Sequence, residues 1–87
     1  MREHQEITEW LGGLEPFDEM THEELAEVLI EGTQRIERFR TNCDAVADRM
    51  ARQRHCGVLA MPTFYEFADL CEARIGECRQ TLEELTA

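Results

Sequence analysis

The residues here with the most distinctive chemistry are four cysteines, Cys43, Cys56, Cys71 and Cys78, at intervals of 13, 15 and 7. A zinc site usually draws two sulfurs from one tight pair, and with Zn–S near 2.3 Å the two sulfurs lie about 4 Å apart. On a helix, Cys71 and Cys78 are separated by about 10 Å along the axis, so they cannot share one ion. The spacing instead suits buried thiols, the common state of free cysteine. A Cys43–Cys71 or Cys43–Cys78 disulfide across a helical hairpin is the alternative, and a Cys-based metal or redox protein is the functional class that would use it. His55-Cys56 hints at a nucleophile, since His55 with Arg52 and Arg54 favours a thiolate. A helix C-terminus disfavours that thiolate, and no base-orienting group or oxyanion cradle accompanies the pair. Glu19-Met20-Thr21-His22 matches Glu-x-x-His, but a di-iron bundle needs two such motifs and two further Glu. No catalytic residue, metal ligand or cofactor site is therefore assigned, and a non-enzymatic role is expected.

Charge is the second chemical feature. The 87 residues carry 19 acids and 9 bases, a net −10, and every base is Arg. Ten acids and one Arg fall within residues 1–31, three acids and six Arg within 32–61, and six acids and two Arg within 62–87, so the three segments carry −9, +3 and −4. The overall sign opposes non-specific binding to nucleic acid or an anionic membrane. Arg49, Arg52, Arg54 and His55 form a small basic cluster. It reads either as an anion contact or as charge compensation at a helix C-terminus, with Asp44 and Asp48 as partners.

These groups are carried by helices. Gly (5) and Pro (2) are scarce, and no stretch alternates as a strand does. Ile7, Trp10, Leu11 and Leu14 share one stripe of a first helix over about Glu3–Leu11, ended by Gly12-Gly13. Leu14–Met20 reads as a connector. Thr21 and Glu24 form a capping box, with Met20 and Leu25 at the staple positions. Leu25, Leu29, Gly32, Ile36, Phe39, Cys43, Val46 and Met50 then step by 4 and 3, a heptad seam on a helix predicted over 21–54. A second capping box, Thr63 to Glu66, follows Pro62 and predicts a helix over 63–85 with Phe64, Phe67, Cys71, Ile75, Cys78, Leu82 and Leu85 on its apolar face.

The expected fold is all-α: one domain, 1–87, with an N-terminal helix and connector (1–20) and an antiparallel hairpin (21–87). Pairing about the loop centre sets Val46 near Cys71, Phe39 near Cys78 and Leu85 near Gly32. Thr21–Glu31 then projects past its partner helix with Leu25, Val28, Leu29 and Ile30 uncovered. Either the first helix or a second copy of the chain, in a dimeric bundle, would cover it.

The functional expectation is a small acidic interaction protein, an inhibitor or adaptor. It would bind a basic surface of a protein partner, including one that normally holds nucleic acid, as anti-defence or regulatory proteins do. Trp10, Leu25 and Leu29 would be the anchors, inside a rim of Glu19, Glu23, Glu24, Glu27 and Glu31. The alternative is a nucleic-acid-binding regulator using Arg49, Arg52, Arg54 and His55. No signal peptide or apolar stretch of about 20 residues is visible, so a cytoplasmic location is expected.

Overall fold

The computed structural model describes residues 2–53 and 61–87. Every regular element among them is helical: α1 (Arg2–Gly12), a 3-10 turn (Phe17–Glu19), α2 (His22–Arg52) and α3 (Met61–Thr86). No helix among the described residues is long and apolar enough to cross a membrane.

The spine is α2, whose 31 residues span about 46 Å at 1.5 Å each, nearly the molecule's full 50 Å length. Its start is set by Thr21. The hydroxyl oxygen accepts from the Glu24 amide at 3.2 Å, and the Glu24 carboxylate accepts from the Thr21 amide at 3.1 Å. Both are amides that a helix end would otherwise leave unpaired.

Both other helices run antiparallel to α2. Asn42 donates to Glu3, while at the other end of α1 Trp10 approaches Gly32. On α3, Tyr65 bonds Asp44 and Cys78 bonds the Leu25 carbonyl. The seam of α2 fills the space between: Leu25, Gly32, Ile36, Phe39 and Cys43 are buried, with Leu29, Val46 and Met50 packed at the margin. They meet Ala68, Cys71, Ile75 and Cys78 of α3. Burying one side chain of the size of Phe39 or Leu25 contributes about 1.5–3 kcal/mol, so this seam is the main source of cohesion.

Three expectations are corrected here. First, α3 begins at Met61, so Pro62 and Thr63 lie inside its first turn and Thr63 does not cap it. Proline fits there because its fixed φ is helical and its missing N–H is one that a helix start leaves unpaired. Second, the register differs by about ten residues. Phe39 packs on Phe67 and Phe64, with ring centroids 5.5 and 6.4 Å apart, and Cys78 sits against Leu25 instead of Phe39. The aromatic cluster and the α2–α3 ion pairs decide the pairing; symmetry about the connector does not.

Third, the overhang is reversed. With Cys78 already level with Leu25, the last residues of α3 run past the start of α2, and Leu85 is 57% exposed. Leu25 and Val28 are covered (0% and 8% exposed), whereas Ile30 stays in solvent at 61%. The connector also does more than link. Phe17 of the 3-10 turn is buried in the core, closing the end of the molecule from which α2 starts.

Candidate functional site

Trp10 organises the acidic end. The α1 stripe brings it over α2 at Gly32, where a Cβ would lie 3.3 Å from the indole Cη2 and 2.4 Å from Ile75 Cδ1. Only a residue without a side chain lets Trp10, α2 and Ile75 meet this closely. Arg35, one turn further along α2, places its guanidinium 5.0 Å from the indole centroid and donates to Glu31 from Nε (3.1 Å) and Nη2 (2.8 Å). The indole is thus held between the Gly32 notch and a cation fixed by a carboxylate.

Beside Trp10 opens a groove of about 290 Å³ between the end of α1, the connector and the first turns of α2. Trp10, Leu14, Met20 and Val28 give it an apolar floor, and Glu15, Glu24, Glu27 and Glu31 give it an acidic rim. Glu31 is paired with Arg35. Among the described residues, Glu15, Glu24 and Glu27 have no cation within ion-pair distance. Glu24 spends one oxygen on the α2 cap. Along α2 the three carboxylates Glu24, Glu27 and Glu31 step by three and four, one stripe about 10 Å long.

Of the residues singled out from sequence, the structure brings Trp10, Glu24, Glu27 and Glu31 together here. Glu19 and Glu23 are exposed outside the groove and Leu29 is half-buried away from it. Leu25 has no exposed surface and so cannot anchor a partner: the register that sets Cys78 beside it closes the face on which it was expected to stand free. Sequence reasoning missed Leu14, Glu15, Met20 and Val28 as parts of one surface, because only the turn between α1 and α2 brings them together.

At the other end, Arg52 pairs with Asp48 at 2.8 Å, while Arg49 is exposed. Arg54, His55 and Cys56 lie outside the described residues. Cys43, Cys71 and Cys78 are free and buried, and burial pushes each thiol up from its ordinary range. Among the described residues, no three His, Cys, Asp or Glu side chains converge as metal donors would.

Where α1 meets the middle of the hairpin, His4 packs its ring 4.0 Å from Phe67 and 5.9 Å from Phe64. It stands three residues before Ile7, and that spacing was the signal that would have placed it on the buried face. Arg40 ties α2 to α3 through Asp69 (2.6 Å) and Glu72 (2.9 Å). These two pairs hold its pKa above the ordinary value. Tyr65 donates to Asp44 at 2.5 Å, and this bond is the main reason its phenol is pushed up to about 12. Comparison of the chain with protein-family models, curated proteins and solved structures finds no match.

Proposed function

We propose that this chain is a non-enzymatic interaction protein that binds a basic surface of a protein partner through the groove at its acidic end. The observation that carries the reading is the pairing of an apolar floor that includes Trp10 with a rim whose carboxylates Glu15, Glu24 and Glu27 lack cationic partners among the described residues. Aromatic residues set among charges are the usual carriers of binding energy, and rim charge governs partner choice and association rate. Occupying such a basic surface would block the nucleic acid or acidic protein that otherwise uses it, which is how a small inhibitor or adaptor acts.

The test is capture of a partner from host cells on the immobilised protein, followed by binding measurements with that purified partner. The reading predicts affinity that falls steeply between 50 and 500 mM salt (roughly 14 to 4 Å of screening length) and that drops when Glu15 and Glu27 are both changed to Gln. Affinity indifferent to salt and to both substitutions would refute it.

A further inference from the structure

The attachment of α1 differs from that of the other helices. We propose that α1 is a hinged arm, which docks on α2 and undocks as one unit about the connector while the α2–α3 hairpin stays folded. The hold on the arm is narrow. Ile7 is its one buried residue, with Trp10 and Leu11 packed at the margin of the core. Asn42 donates to Glu3, His4 lies on Phe67, and the Arg35 guanidinium lies over the indole. Every other buried apolar residue among those described belongs to α2, α3 or the 3-10 turn. The 11 residues of α1 fall short of the roughly 12–15 that an isolated helix needs to be even marginally stable in water. Undocking and unwinding of α1 are therefore one event, and the open state is an unfolded arm on a folded hairpin.

The place where opening stops is set by the connector. The backbone amides of Gly13 and Leu14 donate back into α1, to Glu9, Trp10 and Leu11, whereas those of Glu19 and Met20 donate to Pro16 and Phe17. No backbone hydrogen bond among the described residues joins the two sets. On the near side of this break, nothing lies within 4 Å of the position a Cβ of Gly12 would take, so the chain can swing there at little steric cost. On the far side the chain is pinned without help from α1. Phe17 is buried, Arg74 of α3 lies 4.5 Å from its ring centroid, and Thr21 is capped to Glu24. The groove beside Trp10 exists only in the docked state, since Trp10 and Leu14 leave with the arm. A partner filling that groove would hold the arm down; this step alone rests on the function proposed above.

Two native side chains report the two parts separately, and no partner is needed. Trp10 is the single tryptophan, so its emission follows the arm. Cys78 has no exposed surface and its thiol donates to the Leu25 carbonyl, so its alkylation by a maleimide, located by peptide mapping, follows the hairpin. The full-length protein is titrated with urea under reducing conditions, with both signals read at each concentration. The Trp10 transition is expected at lower urea than the loss of Cys78 protection, with only part of the helicity lost in between. Ile7→Ala is expected to raise the open fraction at least about tenfold, as removal of a buried side chain does. It should move the Trp10 midpoint down and leave the Cys78 midpoint where it was. Coincident or reversed transitions in the wild type, which mark one cooperative unit, or equal movement of both midpoints in Ile7→Ala would overturn the proposal. Either result leaves the binding role of the groove standing, since a groove that never opens can still take a partner.

Discussion

Gly32 shows how far single residues could be read in advance. Its place in the heptad seam left open both a close helix approach and a bend in the long helix, and the structure puts Ile75 and Trp10 against it. What the seam did not disclose was that α1 supplies one of the two neighbours. Gly32→Ala sets a gain of about 1 kcal/mol in helix propensity against overpacking of about 1–3 kcal/mol. Ile75 is enclosed and Trp10 is pinned by Arg35, so overpacking wins. Chemical denaturation should show a net loss of about 1 kcal/mol, partly recovered by adding Ile75→Val. Tyr65 gives a prediction about pH. Its folded-state pKa, about 12, is above the ordinary value near 10, so the folded protein holds this proton more tightly. That contribution is complete below pH 10 and is lost as pH rises towards 12. Denaturation midpoints measured across this range should fall more steeply for the wild type than for Tyr65→Phe. The three buried thiols were legible as core residues because they fell on the apolar stripes. The i to i+3 spacing from Ile7 could have placed His4 on the buried face, whereas Tyr65 acts through a contact with Asp44 of another helix, which spacing along one helix does not encode.

At the level of elements, helix existence and the start of α2 were legible because they rest on local chemistry: the apolar period, Thr21 and Glu24. The start of α3 was not, because Pro62 is as acceptable inside a first turn as before one. Register was also illegible, since it depends on which rings and charges meet across α2 and α3. The ranking of these interactions can be tested by urea denaturation. Thr21→Ala removes one half of the capping box and should cost about 1 kcal/mol. Arg40→Ala breaks two ion pairs whose acids are largely exposed, 70% and 55%, and should cost no more than about 1 kcal/mol, diminishing with salt. Phe39→Ala opens a cavity beneath Phe64 and Phe67 and should cost about 3–5 kcal/mol. If Arg40→Ala proved the more damaging of the last two, the clamp rather than the aromatic cluster would fix the register.

For the whole molecule, the charge polarity visible in the sequence takes a shape. The −9 of residues 1–31 is partly gathered round a groove with an apolar floor, while the expected bare face of α2 is largely closed by α3 and the connector. Covering Leu25 and Val28 internally takes two of the four residues out of the face that argued for a second copy of the chain, while Ile30 stays exposed. It leaves the groove beside Trp10 as the acid-rimmed apolar surface from which a partner can be argued. The most direct test of that claim is amide chemical-shift mapping of the isotopically labelled protein during titration with a short basic amphipathic peptide and, separately, with a short single-stranded oligonucleotide. The account predicts that the peptide shifts residues 10–15 and 20–31 saturably and that the oligonucleotide shifts neither segment. Peptide shifts confined to residues 49–53, or oligonucleotide binding through Arg49 and Arg52 with the groove unperturbed by either probe, would contradict it.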